Sequence, residues 1–395
     1  MTFANPYRPG AGHQPPYLAG RTKETAEFRK LLEQTIILEN AILTGLRGVG
    51  KTVLLEQFKP IAKDNGWLWV GSDISEASSI SEDNLATRII TDLSVVTSSV
   101  TYNSSESQKI GFGAEKETIQ HNLDYGTLRN IYDKTPGLVS DKLKAVLEVV
   151  WEVLKVTQQN PRVVFAYDEA QNFADQAHKE QFPLSLLLDV FQSIQKKNIP
   201  FMLVLTGLPT LYPKLVDART YAERMFHVIF LNQLTEDESK EAILKPIKIN
   251  ECPVIFTEDS VSAVYDMSGG YPYFIQFICR EVFDVWTVNP DAEIPTNAIV
   301  EKLDQDFFVG RWARATDRQR ELLTVIANLD SSDDEFTVQE VVQKSKGRLE
   351  KSFSGSHVTQ MLSSLSQTGL VYKNRHGKYT LAVPLLGRFI RRQSQ

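Results

Sequence analysis

The sequence has little cysteine, few histidines and no long apolar run. Two cysteines in 395 residues cannot make a disulfide framework, which indicates a reducing compartment, so we expect the protein in the cytoplasm. No segment approaches the roughly 20 apolar residues that a membrane-spanning helix needs, and the amino terminus lacks the pattern of a secretory signal. The six histidines are scattered, without Cys or His at metal-ligand spacing. These absences argue against secreted, membrane and metal-cluster proteins.

Composition and length describe a globular chain with an uneven charge. A hydrophobic content of 42% and a charged content of 23% exclude disordered and fibrous classes. The length suggests two or three domains of about 150 residues. The net charge of −6 hides a basic end, because residues 341–395 hold ten Lys and Arg residues against one Glu. Such an end predicts a polyanionic partner, double-stranded DNA through residues 341–392, unless it docks on its own body.

Short apolar segments alternate with helical patterns in the first half of the chain. This alternation predicts a parallel sheet covered by helices on both faces, with strands near residues 41–44, 67–70, 162–167, 200–205 and 228–231. A Ser- and Thr-rich segment near residues 93–137 has a weak pattern and is interpreted as an insertion with loops, either a contact surface or an inert one. Helices dominate after residue 234. We therefore expect an α/β domain over 1–233, a helical lid over 234–312 and a small domain over 313–395.

A phosphate-binding loop follows the first strand. The residues fit G-x-x-x-x-G-K-[ST] and open a helix at Val53: Gly45, Leu46, Arg47, Gly48, Val49, Gly50, Lys51 and Thr52. Glycines let backbone N–H groups converge on phosphate oxygens, and the helix dipole favours the same anion. Lys51 supplies a charge to the β and γ phosphates, and the Thr52 hydroxyl is a ligand for Mg²⁺. The loop predicts that the chain binds a nucleoside triphosphate.

Polar residues after the later strands supply candidates for hydrolysis. Asp168 ends an apolar strand and could hold Mg²⁺, while Glu169 could polarise the attacking water. Thr206, at the end of the next strand, lies where a sensor of the γ phosphate is expected, although it could equally cap a turn. Arg224 could reach the γ phosphate of a neighbouring subunit in a homo-oligomer, or pair with Glu223. We predict an ATPase rather than a passive binder.

These motifs resemble archaeal- and bacterial-type P-loop ATPases near the AAA+ and STAND groups, relatives of origin-recognition ATPases. The resemblance rests on Leu18–Arg21, the phosphate loop, Tyr167–Gln171, Leu205–Pro209 and Ser268–Phe274. It implies the AAA+-like fold, ATP or ADP as the nucleotide, and an adenine pocket built partly by the amino-terminal segment with Gly20 and Arg21. It also implies that the turn at Pro272 approaches the nucleotide. Origin-type ATPases carry an arginine early in the lid helix, where this sequence has Tyr271–Tyr273, and the Gly-x-Pro form found here is closer to the signalling STAND ATPases.

The C-terminal pattern predicts a winged helix. Two capping boxes, at Thr316 and Thr337, start helices, a third helix runs from about Ser356 to Gly369, and two strands follow. The exposed face of the third helix would carry small polar residues and the hairpin tip basic ones: Ser356, His357, Thr359, Gln360, Ser363, Lys373, Arg375 and Lys378. Such a face suits DNA and its phosphates. The third helix has no Arg or Lys, which weakens direct base readout.

Two functions follow from these patterns. In the first, nucleotide state controls assembly and DNA engagement through the basic winged helix. In the second, the chain is a STAND-type switch or scaffold that regulates a protein effector, for example a nuclease in a defence system. The basic hairpin favours the first function, whereas the Gly270-Tyr271-Pro272 form of the lid favours the second.

Overall fold

A computed structural model describes residues 4–10, 12–107, 116–158, 160–290, 292–331, 335–348, 351–375 and 377–393. The chain divides into two compact units. We call residues 23–44 and 54–230 the sheet unit, and residues 1–22, 45–53 and 231–395 the helical unit. The predicted phosphate loop thus groups with the C-terminal half, while the domain boundaries near 233 and 312 stay predictions. None of the helices in the described ranges is long and apolar enough to cross a membrane.

The sheet unit is built on a five-stranded sheet in the order β2–β5–β6–β1–β7. The strands of this half of the chain are β1 (Asn40–Gly45), β2 (Trp67–Asp73), β3 (Thr101–Ser107), β4 (Lys116–Asn122), β5 (Arg162–Asp168), β6 (Phe201–Gly207) and β7 (Phe226–Leu231). The helices are α1 (Thr22–Leu32), α2 (Lys51–Asp64), α3 (Glu82–Thr97), α4 (Tyr125–Lys134), α5 (Val139–Thr157), α6 (Pro183–Gln195), α7 (Leu211–Ala218) and α8 (Ala222–Met225). The pairs β2–β5, β5–β6 and β6–β1 are parallel, as the alternating pattern predicts.

Both faces of this sheet are covered. On one face Phe28 of α1 stacks on Phe58 of α2, with ring centroids 4.0 Å apart, and meets the edge of Trp69. On the other face α3, α5 and α6 pack against Phe165 and Leu203 in one buried cluster. Strands buried on both faces read as continuous apolar runs, which is why β1, β5 and β6 are recognisable from sequence.

The segment near residues 93–137 is mostly regular structure, so its interpretation as loops is wrong. Its first residues end α3, β3 and β4 pair as an antiparallel hairpin, and α4 begins at an Asp124 cap. The pattern was weak because the hairpin sequence is polar and the helix boundaries lie inside the Ser- and Thr-rich stretch. Whether the segment is a contact surface stays open.

After residue 231 the helical unit consists of a run of helices followed by a small mixed region. The first helices are α9 (Glu236–Ile249), α10 (Glu258–Ser268), α11 (Pro272–Val288), α12 (Thr296–Leu303) and α13 (Gly310–Trp312), with a π-helix over Asp304–Val309. Then come α14 (Asp317–Ala327), β8 (Phe336–Thr337), α15 (Val338–Lys346), α16 (Gly355–Gln367), β9 (Val371–Arg375), β10 (Lys378–Leu381) and α17 (Leu386–Gln393). The last three strands form a sheet in the order β8–β10–β9.

The expected elements of the C-terminal region are present. Thr316 and Thr337 both make reciprocal capping boxes, and three helices precede a hairpin, in the predicted order. The second strand of the hairpin is shorter than expected and α17 follows it, which the sequence pattern did not indicate. The assignment of this region as a winged helix stays a prediction.

A buried amide network fixes the start of β1 within the sheet unit. Asn40 is 1% exposed, and its Oδ1 accepts hydrogen bonds from the Leu203 N–H at 2.7 Å and from Gln195 Nε2 at 2.8 Å. Its Nδ2 donates to the Met225 carbonyl at 3.2 Å. One side chain therefore joins β1 to β6, to α6 and to the residue before β7, so it pins the strand that leads into the phosphate loop.

Replacing Asn40 should destabilise the protein strongly. Asn40→Ala leaves the buried Leu203 N–H and Gln195 amide without their partner, at a cost of about 3 kcal/mol in the free energy of unfolding. Chemical denaturation measures this change. Lys196→Ala, at an exposed position just past α6, should stay within about 0.5 kcal/mol of the parent and serves as control. Equal stability of the two variants would contradict the role of the network.

Candidate functional site

The phosphate loop has the backbone that its sequence pattern requires. Gly48 and Gly50 have φ angles of +79° and +90°, which residues with a side chain rarely adopt. A Cβ atom added at Gly50 would have nothing within 4 Å, so the loop is open there. Because α2 begins at Lys51, the N–H groups of its first turn point back toward this loop. The loop thus offers the donors that a phosphate group takes.

At two positions of the loop, neighbouring atoms lie so close that only glycine fits. A Cβ atom at Gly45 would lie 2.5 Å from the Leu231 carbonyl oxygen, and one at Gly48 would lie 3.2 Å from the Tyr273 Cβ. The Tyr273 N–H, in the first turn of α11, donates to the Gly48 carbonyl at 3.1 Å. The start of α11 therefore holds the middle of the phosphate loop directly.

The two polar side chains that close the motif lie at the loop. Lys51 Nζ donates to the carbonyl oxygens of Gly45 at 3.0 Å and Leu46 at 2.9 Å, which keeps its charge over the loop. The Thr52 methyl group lies 3.5 Å from the position of a Cβ atom at Gly12. The amino-terminal segment thus reaches the phosphate loop, while its part in an adenine pocket stays a prediction.

Arg21 stabilises the backbone of the phosphate loop. It is 5% exposed, and its Nη2 donates to the carbonyl oxygens of Val49 and Asn232, both at 2.9 Å. Gly20 before it has φ +63°, and a Cβ atom there would lie 2.6 Å from Glu238 Cδ. The resemblance assigns both residues to the adenine pocket, and that role stays a prediction. The contacts give Arg21 a second role, since it fixes the backbone of the loop.

The turn before α11 is built on two glycines. Gly269 and Gly270 have φ angles of +58° and +74°, and Pro272 occupies the first position of the helix. The Leu234 N–H donates to the Gly270 carbonyl at 2.8 Å. Within the helical unit, Tyr273 makes the hydrogen bond to the loop; contact of Pro272 with a nucleotide stays a prediction.

The carboxylates of the sheet unit lie at the end of β5. Asp168 is 4% exposed, and its Oδ1 accepts a hydrogen bond from the Glu169 N–H at 2.7 Å. Glu169 is exposed and has φ +53°, a left-handed conformation that is uncommon for a residue with a side chain. Its Oε2 accepts a hydrogen bond from Gln171 Nε2. Uncommon backbone of this kind is concentrated at functional sites.

Asp73 is a carboxylate near this position that the sequence analysis missed. It ends β2, is exposed, and stands directly opposite Asp168 in the parallel register. The signal was available, because Trp67–Val70 was recognised as a strand and the acidic residue follows it within three positions. The strand was simply taken to end too early.

Thr206 lies inside β6 and is fully buried. Because Tyr167 pairs with Leu205, the residues that follow them, Asp168 and Thr206, lie on one face of neighbouring strands. The Thr206 Oγ1 has no hydrogen-bond partner within the described ranges. A buried hydroxyl without a partner is costly, so one beside a carboxylate fits a site built for a polar ligand. The sensor role stays a prediction.

Arg224 is exposed on α8. Across the described part of the chain it forms no ion pair, so the alternative of a salt bridge with Glu223 is not seen. The nearby Arg219 is the structural arginine instead: its Nη2 lies 2.7 Å from Asp189 Oδ2 and its Nε donates to Oδ1 at 2.9 Å. These hydrogen bonds raise the pKa of Arg219. Arg224 remains available to a neighbouring subunit, which stays a prediction.

The cations at the basic end of the chain fall into two groups, those that contact other residues of the protein and those that are exposed to solvent. Arg388 donates to the Asp266 carbonyl, Arg391 donates to the Ala327 carbonyl at 2.5 Å, and Arg392 pairs with Asp304. These three cations therefore dock on the helical unit, as the alternative interpretation of the charge allowed. Four further cations of this end are exposed and have no ion pair in the described ranges: Lys346, Arg348, Lys351 and Lys373. The side chain of Arg375 and the whole of His376 lie outside the described residues.

The polar face of α16 is open to solvent as expected. Ser356, Thr359, Gln360 and Ser363 are exposed and His357 is half-buried, whereas Val358, Met361, Leu362 and Leu365 are buried. The face is neutral, so any attraction of a polyanion to this region comes from the cations around it.

Comparison with known proteins identifies the fold. Residues 17–213 match the AAA ATPase domain family, and residues 305–390 match a domain of unknown function, DUF8462. The chain is similar to the Walker-type ATPase PABY2304 of Pyrococcus abyssi, with 16% identity over 95% of this chain and 96% of that one, at a TM-score of 0.59. It is also similar to the ORC2 protein of Aeropyrum pernix in ADPNP–ADP complexes, with 11% identity over 98% of both chains and a TM-score of 0.54.

The ADP form of the same ORC2 protein gives a TM-score of 0.56 at 12% identity, over 98% of this chain and 97% of that chain. No curated protein matches the chain. At these identities the structural likeness establishes a shared fold along the whole chain. It confirms the P-loop ATPase fold that the motifs predict.

Arg21 provides a test of the loop's support. Arg21→Met removes the donors to the Val49 and Asn232 carbonyls, so the nucleotide-free protein should lose about 1–3 kcal/mol of unfolding free energy. Thermal unfolding without nucleotide measures the loss. Arg29→Met, at an exposed position on α1, is the matched control and should leave stability unchanged. Unchanged stability of Arg21→Met would show that the residue does not support the loop.

Proposed function

Residues 17–213 match the AAA ATPase domain family, and from this match we propose that the chain is an ATPase of this kind, which binds and hydrolyses ATP in a cycle that controls self-assembly and DNA engagement. The observation that carries the proposal is the phosphate loop, with its positive φ angles at Gly48 and Gly50 and the start of α2 at Lys51. Backbone N–H groups in this arrangement bind phosphate without any adaptation of side chains.

Nucleotide binding is proposed for the loop from Gly45 to Val53. Its N–H groups take the phosphate oxygens, and Lys51 exchanges its carbonyl partners for the β and γ phosphates. The hydroxyl of Thr52 and the carboxylate of Asp168 are hard oxygen ligands of the kind that Mg²⁺ takes. The bound ion would neutralise charge on the phosphate oxygens. ATP and ADP are proposed as the nucleotides.

Hydrolysis is proposed to depend on the residues at the ends of β5 and β6. Glu169 accepts a proton from the attacking water, for which its exposed carboxylate is suited. Thr206 donates its unpartnered hydroxyl toward the reacting phosphate. Arg224, exposed on α8, stabilises the charge of the transition state in a neighbouring subunit of a homo-oligomer.

Glu169→Gln tests the hydrolytic step. The substitution keeps the size of the side chain but removes the carboxylate that takes the proton, so kcat should fall about 100-fold or more. The affinity for ATP should stay within about twofold, because Glu169 is not assigned to binding. Phosphate release measures turnover, and a fluorescent nucleotide analogue measures binding. Turnover at the parent level would show that Glu169 is not the general base.

Contacts within the helical unit support a link between the nucleotide and the C-terminal region. Besides the hydrogen bond from Tyr273 to Gly48, Arg47 Nη2 lies 3.7 Å from the position of a Cβ atom at Gly369, just past α16. Burial lowers the pKa of Arg311 in α13, and the nearby charge of Arg47 lowers it further. A phosphate group in the loop would alter both contacts. We propose that this is how nucleotide state acts on the lid and on the C-terminal region.

DNA engagement is proposed for the exposed cations near α15, α16 and the hairpin. Lys346 ends α15, Arg348 follows it two residues later, and Lys373 lies on β9. With a neutral face on α16, binding should come mostly from contacts to phosphates, and should therefore weaken as salt rises. These cations make the region suitable for a duplex backbone rather than for reading bases.

Removing three of these cations should weaken DNA binding. The triple variant Lys346→Ala, Arg348→Ala, Lys373→Ala should bind duplex DNA less tightly, with the slope of log K against log salt reduced by about 0.9 for each lost phosphate contact. Fluorescence anisotropy at several salt concentrations measures this slope. Lys30→Ala, Arg29→Ala, Lys63→Ala removes the same charges from exposed positions in α1 and α2, and should have little effect. Equal weakening in both variants would contradict a DNA surface at the C-terminal end.

A protein effector is the second candidate partner. It is favoured by the neutral exposed face of α16 and by the use of Arg388, Arg391 and Arg392 in internal contacts. Phosphate release that duplex DNA leaves unchanged at low and high salt would favour this switch or scaffold function. Stimulation that fades at high salt would favour DNA.

A further inference from the structure

The side chain of Gln171 bridges the ends of β5 and β6. Gln171 lies two residues after Glu169, and its Nε2 donates to the Glu169 Oε2. Its Oε1 accepts a hydrogen bond from the Leu208 N–H at 3.0 Å, one residue past the end of β6. The backbone N–H of Leu208 is a donor, so only the amide oxygen of Gln171 can accept from it, and the amide nitrogen must then face Glu169. The orientation of the amide is therefore set by the end of β6.

The backbone of Gln171 is also held in place. It lies in the 3₁₀ turn Ala170–Asn172, which follows the left-handed residue Glu169. Lys214 Nζ in α7 donates to the carbonyl oxygen of Gln171 at 2.6 Å and to that of Phe173 at 3.1 Å. Burial lowers the pKa of Lys214, as expected for an ammonium group enclosed by this turn. Gln171 is thus a fixed donor rather than a mobile surface side chain.

Gly207 leaves the space that this bridge needs. A Cβ atom at Gly207 would lie 2.7 Å from Gln171 Oε1 and 3.3 Å from the Gln171 backbone nitrogen. The φ angle of Gly207 is not positive, so backbone conformation does not demand glycine here. The close approach of Gln171, together with Leu211 Cδ2 at 3.0 Å, is the reason for glycine at this position.

We propose that Gln171 is a positioning residue for hydrolysis: it holds one oxygen of the Glu169 carboxylate so that the other oxygen faces the attacking water. The inference rests on the proposed function of Glu169 as general base. An exposed glutamate has three side-chain torsions, and a base acts efficiently only when it is oriented by a further group. The amide supplies that orientation and takes its own position from Leu208, at the strand that carries Thr206.

The chemistry requires glutamine at this position. A glutamate at 171 could accept from the Leu208 N–H but could not donate to Glu169, and two carboxylates would repel. An asparagine is one methylene shorter and could not reach both partners from the same backbone. The bridge therefore distinguishes an amide from its isosteric acid, which makes a sharp substitution possible.

The experiment compares Gln171→Met and Gln171→Glu with the parent protein in steady-state ATP hydrolysis. Both variants should lower kcat about 10-fold while KM and the affinity for ATP stay within about twofold. Gly207→Ala should lower kcat in the same direction, because its Cβ displaces the amide. Gln343→Met makes the same chemical change at an exposed position of α15 and should leave kcat unchanged.

A second arm separates positioning from general structural damage. In the Glu169→Gln background the base is already absent, so adding Gln171→Met should not lower the residual turnover further. Thermal unfolding of each variant shows whether it is folded; if one Gln171 variant fails to fold, the other and Gly207→Ala carry the test. A further loss of turnover in the double variant would overturn the positioning role.

The failure of this inference differs from the failure of the proposed function. If Glu169→Gln abolishes turnover while Gln171→Met, Gln171→Glu and Gly207→Ala retain parent kcat, Gln171 does not position the base. If Glu169→Gln itself turns over at the parent rate, the assignment of Glu169 fails, and with it the premise for Gln171.

Discussion

The parallel register of β5 between β2 and β6 is the constraint on which the candidate catalytic residues depend. It sets Asp73 opposite Asp168, and it carries Thr206 to the same face of the neighbouring strand. A slip of β6 by one residue would turn its side chains to the other face, so Thr206 would enter the apolar cluster and Leu205 or Gly207 would take its place. The polar ends of the strands and the different shapes of the side chains packed on the two faces oppose such a slip. The chemistry of the strand ends is thus a consequence of packing along their whole length.

Local patterns predicted much of this fold because their causes are local. The buried strands, the glycines of the phosphate loop and the capping boxes at Thr316 and Thr337 each depend on residues within a few positions of one another. The Asn40 network and the Gln171 bridge could not be predicted in this way. Asn40 meets Leu203 across more than 160 positions, and Gln171 meets Leu208 only because β5 and β6 are neighbours. Contacts of this kind depend on strand order, which one sequence does not reveal.

The number of cations could be read from the sequence, but which of them have partners within the protein could not. The basic end of the chain is evident from composition, yet Arg388 and Arg392 bind the helical unit while Lys346 and Lys373 face solvent. Arg219 and Arg224 show the same division, since only Arg219 has a carboxylate partner in the described ranges. The partner of each arginine or lysine depends on which carboxylates and carbonyl groups the fold places close to it. A count of cations therefore indicates a polyanion surface only after the internally paired ones have been set aside.

The phosphate loop has two kinds of support within the helical unit, and they differ in what a ligand can change. Arg21 is buried and holds Val49 and Asn232 through carbonyl oxygens, so it is a static support whose loss would deform the loop. Arg47, by contrast, is exposed and lies near Gly369, while Tyr273 holds Gly48 by one hydrogen bond. The Arg21 side chain is held by its carbonyl acceptors, whereas the exposed side chain of Arg47 can reorient toward an anion at the loop. The static support and the exposed contacts of the loop are therefore carried by different residues, which is the division that the proposed nucleotide control needs.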